Sequence, residues 1–163
     1  MFDQQNKSNI FETVKEMTAG EDAGQILDKV IEYLHEQMQD WHWTGIYILI
    51  EDKLYLGPYR GPATEHTVIE VGKGVCGTAV KEEKNQIVDD VNTLENYIAC
   101  SVGTSSEIVV LIKDGDEVLG QFDIDSDKKR AFSQEDERML KEIANLSKNA
   151  VREYRAALMA SLS

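Results

Sequence analysis

The chemistry available to this chain begins with its two cysteines, Cys76 and Cys100. A cysteine thiolate attacks sulfoxides, peroxides and disulfides, whereas a buried thiol is inert. Cys76 lies in a glycine-rich segment, 72–77, and Cys100 lies in segment 89–104, which has no clear period and is predicted to be a long loop. If both loops border one cavity, one cysteine could be the nucleophile and the other could resolve its sulfenic acid as a disulfide. Alternatively, both cysteines are buried in the core as small hydrophobic residues.

Three acidic residues form a second candidate group. Glu107 begins a predicted strand, and Asp123 and Asp125 end the next one. Alternation along a strand places Asp123 and Asp125 on one face, where partial burial would raise the pKa of at least one carboxyl group. A protonated carboxyl could donate a hydrogen bond to a ligand oxygen, and an ionised neighbour could hold an ammonium group. Solvated residues at strand ends are the alternative.

Trp43 and Tyr47 form a third candidate group, because alternation places them on one strand face with Gly45 between them. This arrangement suits the wall of a small-ligand pocket, and ordinary core packing is the alternative. A zinc site built from His66, Cys76 and Cys100 is disfavoured because no paired cysteine spacing supports it. We therefore expect no metal and no cofactor.

The elements that must position these residues follow from hydrophobic periodicity and turn signals. Apolar residues at helical spacing predict a helix over 22–40, and Ser133 with Asp136 predicts a capped helix that runs to the end of the chain. Asp114-Gly115 predicts a hairpin with a type I′ turn. Two shorter helices are predicted, over 9–17 and 78–83. Strands are predicted at 45–50, 53–59, 67–71, 86–88, 107–112 and 117–124. The order predicts an α+β domain: an antiparallel β-sheet with the N- and C-terminal helices packed on one face and pocket-forming loops on the other.

Composition limits the classes of partner. Acidic residues outnumber basic ones by 30 to 17 in a chain of 163 residues, which gives a formal net charge of −13. Such a surface repels nucleic acid and anionic lipid, so we expect neither as a partner. The sequence has no apolar run long enough to span a bilayer and no secretory signal at its start, so a cytoplasmic location is expected.

Several ordered motifs together resemble the GAF-domain family of free methionine-(R)-sulfoxide reductases. The resemblance covers about residues 41–150 of what is predicted to be a single GAF domain over 1–163, with 1–40 and 133–163 as terminal helices. The motifs that carry it are Trp43-Thr44-Gly45-Ile46-Tyr47, Gly57-Pro58-Tyr59-Arg60-Gly61, residues 71–79 around Gly74-Val75-Cys76-Gly77, Asp90-Val91, Ile98-Ala99-Cys100, Ser106-Glu107-Ile108-Val109-Val110, Asp123-Ile124-Asp125-Ser126 and residues 132–137.

The resemblance implies a function and a set of roles. Cys100 would be the catalytic nucleophile, and Cys76 would be the resolving thiol in the reduction of free L-methionine (R)-sulfoxide. A thioredoxin-like protein would reduce the resulting disulfide, and the protein would be a homodimer. The substrate pocket would be shaped by Trp43, Tyr47, Glu107, Asp123 and Asp125. The alternative is a GAF module that binds a small polar ligand or senses redox state without turnover.

Three positions depart from the pattern of this family. His66 stands where the family usually carries a further cysteine that commonly resolves the sulfenic acid, and Ser101 stands where an aspartate usually follows the catalytic cysteine. Asn96-Tyr97 replaces the usual Gly-His. Cys76 or an external thiol would therefore have to take over the resolving step.

Overall fold

The computed structural model describes residues 4–95 and 103–163. Within these ranges the chain forms four α-helices, six β-strands and a short 3₁₀ turn at Val91–Thr93. The helices are α1 (Gln4–Met17), α2 (Ala23–Gln37), α3 (Gly74–Glu82) and α4 (Gln134–Leu162). The strands are β1 (Trp43–Ile50), β2 (Lys53–Arg60), β3 (Val68–Glu70), β4 (Gln86–Val88), β5 (Ser106–Asp114) and β6 (Glu117–Ser126).

The strands form one antiparallel sheet in the order β3-β2-β1-β6-β5-β4. Helices α1, α2 and α4 cover one face, where their apolar stripes pack against Ile46 and Ile48 of β1 and Phe122 of β6 in the larger hydrophobic core. The other face carries the smaller core, to which α3 contributes Val75, Cys76 and Ala79. The predicted α+β layering, with the terminal helices together on one face, is confirmed.

The two longest helices begin at side-chain caps, and the cap of α4 is the one that the sequence predicts. The side chain of Asp22 accepts a hydrogen bond from the Gln25 amide at the start of α2. At the start of α4, Ser133 and Asp136 form the predicted capping box, with each side chain accepting from the other residue's backbone N–H. Such caps satisfy amide groups that would otherwise lack partners in the first turn. None of the helices in the two described ranges is both long and apolar enough to cross a bilayer.

The turn between β5 and β6 differs from the predicted type I′ turn. Asp114 pairs with Glu117 across the hairpin, so the two central residues are Gly115 and Asp116. Gly115 has a φ of 60°, and Asp116 is not among the residues with positive φ. A positive φ at the first central position alone is typical of a type II′ turn, which also matches the twist of the strands. The hairpin itself is as predicted.

Helix α3 begins earlier than the sequence pattern indicates, and this changes the setting of Cys76. The glycine-rich segment was expected to be a loop, but α3 starts at Gly74, so Cys76 lies in its first turn. The helix can approach β3 closely because a Cβ on Gly77 would lie 2.6 Å from the Glu70 carbonyl oxygen. Tertiary packing thus overrides the low helix propensity of glycine here, and the prediction that Cys76 is a loop cysteine is wrong.

Candidate functional site

Strand alternation brings the acidic and aromatic candidates to the face of the sheet opposite the terminal helices. In one row across the sheet, Trp43 on β1 pairs with Asp125 on β6, which pairs with Glu107 on β5. In the next row Gly45 pairs with Asp123. Residues between them, such as Ile46 and Ile124, point into the core beneath the helices. The central position of β1, β6 and β5 in the sheet therefore creates one polar cluster from three separate segments.

The three acidic side chains of this cluster are almost completely buried. Glu107 is 1% exposed, and Asp123 and Asp125 are 0% exposed. Burial disfavours the ionised form of a carboxyl group, and the neighbouring Asp123 charge disfavours it further, so the pKa of Asp125 is raised well above its usual value. Hydrogen bonds from the Thr104 hydroxyl, 3.2 Å from Oδ2, and with Glu107 act in the opposite direction on this pKa. The site thus places a carboxyl group that keeps its proton to higher pH than usual beside other carboxyl groups, an arrangement suited to proton donation.

Cys76, in helix α3, contacts one of these acids. Its Sγ lies 3.9 Å from Oε2 of Glu107, to which the thiol donates a hydrogen bond, and the residue is 3% exposed. One ligand atom each from Cys76, Glu107 and Asp123 lies within 4.8 Å of the others, so sulfur and carboxylate oxygen are close enough to hold a metal ion in principle. This set differs from the zinc set considered from the sequence, which shares only Cys76 with it.

The aromatic residues form one stacked wall beside the acids. The indole of Trp43 stacks on Tyr47 at 6.3 Å and on Tyr59 at 5.5 Å between ring centroids. Trp43 Nε1 donates to the Pro62 carbonyl at 3.1 Å, and the Tyr47 hydroxyl donates to the His66 carbonyl at 2.7 Å. These bonds tie segment 62–66 to the sheet and fix both rings.

Gly45 gives the Trp43 ring its place. A Cβ at Gly45 would lie 2.5 Å from a ring carbon of Trp43. The indole of Trp43 therefore fills the space beside Gly45. The expectation from the sequence that this space is open to a ligand is wrong. The role of Gly45 is to let the aromatic wall lie flat on β1.

Within residues 4–95 and 103–163, the structure brings together every residue proposed for the site from the sequence. Trp43, Tyr47, Cys76, Glu107, Asp123 and Asp125 are all buried on the same side of the sheet. Cys100, together with the departures Asn96, Tyr97 and Ser101, lies outside the described residues. Two neighbours of the cluster were not singled out from the sequence. Thr104 contacts Asp125, and Gln121 lies on the same face of β6 as Asp123 and Asp125, as its spacing from them would have indicated.

Comparison with known proteins connects this geometry to a family. The family model described as GAF domain matches residues 20–152. The free methionine-R-sulfoxide reductase of Escherichia coli strain K12 is 40% identical over 116 residues, which cover 71% of this chain and 70% of that protein. The structure of the type II free methionine-R-sulfoxide reductase from Thermoplasma acidophilum superposes with a TM-score of 0.78 at 39% identity, covering 86% of this chain and 96% of that one.

A substrate complex is also among the similar structures. The free methionine-R-sulfoxide reductase from Neisseria meningitidis, solved with its substrate, has a TM-score of 0.86 at 30% identity and covers 96% of this chain and 95% of that chain. The six-stranded antiparallel sheet, its flanking helices and the matches in sequence all agree with the fold expected from the motifs. The chain belongs to the GAF domain family, with free methionine-R-sulfoxide reductases among its relatives.

Proposed function

We propose that this protein reduces free L-methionine (R)-sulfoxide to methionine at its cluster of buried carboxyl groups. The observation that carries the proposal is the cluster of the buried acids Glu107, Asp123 and Asp125, with the Cys76 thiol hydrogen-bonded to Glu107 and with the wall of Trp43 and Tyr47 on the same face. A sulfoxide oxygen is a strong hydrogen-bond acceptor that becomes basic as the S–O bond breaks. A neutral acid aimed at it lowers the barrier by delivering a proton as the negative charge develops.

The nucleophile in this proposal is Cys100, the role that its place in Ile98-Ala99-Cys100 implies by resemblance to the family. Cys76 suits this role less well, because it is 3% exposed and its thiol donates a hydrogen bond to Glu107. The Cys100 thiolate attacks the sulfoxide sulfur, and Asp125 delivers a proton to the oxygen. As the S–O bond breaks, the hydroxyl group passes to the sulfur of Cys100. The bond between the two sulfurs then breaks, methionine leaves and Cys100 becomes a sulfenic acid, so cysteine is oxidised as the sulfoxide is reduced.

Cys76 completes the cycle as the resolving thiol. It attacks the sulfenic sulfur of Cys100, its proton passes to the hydroxyl group that leaves as water, and a disulfide forms. Glu107, which already accepts a hydrogen bond from Cys76, is placed to take that proton first. A thioredoxin-like dithiol then reduces the disulfide. In this proposal Cys76 therefore takes the resolving role that the family usually gives to a cysteine at the position of His66.

The proposal extends to the location and the oligomeric state of the protein. We place the reaction in the cytoplasm, where thiols are kept reduced, and we assign residues 1–163 to one GAF domain that works as a homodimer. Met159 and Leu162, which are 45% and 52% exposed near the end of α4, supply apolar surface for such a contact.

A non-catalytic GAF module that binds a small polar ligand or senses redox state is the second candidate. His66, which replaces a family cysteine, favours it. Such a module would bind the sulfoxide in stoichiometric amounts and release it unchanged.

The deciding experiment is a turnover assay with dithiothreitol on free L-methionine (R)-sulfoxide, the (S) isomer and a peptide containing methionine sulfoxide. We expect methionine from the free (R) isomer only, and no product with Cys100→Ser. Cys76→Ser should keep turnover with dithiothreitol but lose most of it with a thioredoxin system. Normal turnover by Cys100→Ser would refute the assigned nucleophile, and binding without product would favour the second candidate.

A further inference from the structure

The face of β6 that carries Asp123 and Asp125 also carries a third polar side chain, Gln121, which has no part in the reaction proposed above. It is 0% exposed, and within residues 4–95 and 103–163 neither Nε2 nor Oε1 has a hydrogen-bond partner. Its cross-strand neighbours are Tyr47 on β1 and Leu111 on β5. Burying an amide without partners destabilises a protein, whereas an apolar side chain of the same shape does not carry this cost. The position therefore holds a donor and an acceptor whose partners come from outside these two ranges.

The amide suits one kind of ligand group. Its NH₂ donates and its carbonyl oxygen accepts, a few ångströms apart on one planar group. A free amino acid presents the complementary pair on one carbon, since its α-carboxylate accepts and its α-ammonium donates. When ionised, the carboxyl groups of Glu107 and Asp123 do not complement a ligand carboxylate, because ionised carboxylates only accept hydrogen bonds. The Asp125 proton is used at the sulfoxide oxygen. Gln121 supplies a neutral donor on the same face.

The spacing along β6 also fits. Gln121 precedes Asp123 by two residues and lies on the same face of β6, a separation of about 7 Å along the strand. Methionine sulfoxide places four bonds between its sulfur and its carboxylate carbon, a span of the same order. A substrate whose sulfoxide is held among the acids can therefore extend its charged end toward Gln121.

We propose that Gln121 binds the amino-acid end of the substrate, with its NH₂ donating to the α-carboxylate and its carbonyl accepting from the α-ammonium, and so selects free over peptide-bound sulfoxide. This inference rests on the proposed function and adds the residue that sets its substrate class. Because the amide is enclosed, hydrogen bonds formed there are shielded from water. A residue inside a peptide lacks both charges, and it would leave the amide buried and unpaired, which is the kind of mismatch that binding sites reject strongly.

The test replaces Gln121 with methionine, an unbranched side chain of similar length that can neither donate nor accept as an amide does. Steady-state kinetics with dithiothreitol would use two probes: free L-methionine (R)-sulfoxide and the same compound acetylated at nitrogen and amidated at its carboxyl group. We expect Gln121→Met to raise the KM for the free probe at least tenfold with kcat within about twofold, and to reduce the preference for free over capped probe. The same variant should raise Tm by about 2–4 °C, since it removes an unpaired buried amide.

Ser147→Ala is the matched control. Ser147 on α4 is also 0% exposed, and its hydroxyl has no hydrogen-bond partner in the described part of the chain, but it lies on the helix-covered face of the sheet. Its replacement should raise Tm without changing KM or the preference between probes, which separates a stability effect from a ligand effect.

The KM, the probe preference and the Tm of Gln121→Met together decide whether Gln121 binds the substrate. A rise in KM together with a rise in Tm supports the inference. An unchanged KM in a protein whose wild type reduces the free probe overturns it, and so does a fall in Tm with unchanged preference, which would mean that the amide is a structural group satisfied by buried water. Absence of turnover by the wild type would instead refute the proposed function, and this inference with it.

Discussion

The Asp125 carboxyl group should make the folded protein less stable as pH rises. Its pKa is raised chiefly because burial disfavours the charged form and secondarily because the Asp123 charge lies nearby. In the unfolded chain an aspartate loses its proton near pH 3.9, so above that pH the folded state holds one proton more than the unfolded state. The stability that this proton contributes is fully present below the unfolded pKa and is lost as pH rises through the folded pKa.

The magnitude follows from one proton. Within that window the free energy of unfolding falls by up to about 1.4 kcal/mol for each pH unit, which is at most about 2.7 kcal/mol between pH 5 and pH 7. Asp125→Asn keeps the shape of the side chain and an oxygen that can accept from the Thr104 hydroxyl, but it does not titrate. The variant should therefore lose this slope and should gain stability over the wild type as pH increases.

The assay is urea unfolding at half-unit steps from pH 5 to pH 8 for wild type and Asp125→Asn. Asp116→Asn, which removes a carboxyl group from the exposed hairpin turn, is the control for loss of charge at the surface. Parallel curves for wild type and Asp125→Asn over the whole range would refute the reasoning, because they would mean that Asp125 is ionised in the folded protein throughout.

Three further substitutions test the site and the helix that packs behind the sheet. Thr104→Val removes a hydrogen bond that lowers the pKa of Asp125, so the pH-dependent loss of stability should extend to higher pH in the same urea assay, and an unchanged curve would contradict the contact. Gly45→Ala brings a Cβ within 2.5 Å of the Trp43 ring, so near-ultraviolet circular dichroism should change and KM should rise several-fold while the far-ultraviolet spectrum stays the same. Ser133→Ala removes the capping box of α4 and should cost about 1 kcal/mol, seen as a lower Tm without a change in KM.

The sequence was sufficient for the parts of this fold that depend on local patterns. The helical spacing of Leu27, Val30, Ile31 and Leu34 located α2, whose apolar stripe is the one that is buried. Strand alternation placed Asp123 and Asp125 on one face. These features could be predicted because periodicity and capping are properties of neighbouring residues.

Other features depend on contacts between distant segments, and no local pattern contains them. The start of α3 at Gly74 is set by its packing against β3, so glycine content alone gave the wrong element for Cys76. The contact between Cys76 and Glu107 joins α3 to β5, and the burial of Gln121 results from the central position of β6 in the sheet. From the sequence alone, Gln121 was one of many polar residues on a strand.

A single-turnover experiment tests most directly whether Cys100 reduces the sulfoxide beside these acids and whether Cys76 resolves the resulting sulfenic acid. Reduced protein, freed of reductant, would be mixed with excess free L-methionine (R)-sulfoxide, with methionine and protein thiols then counted. We expect one methionine released per chain, loss of both thiols and a Cys76–Cys100 disulfide in the peptide mass map. Unchanged sulfoxide with both thiols intact would contradict both assignments.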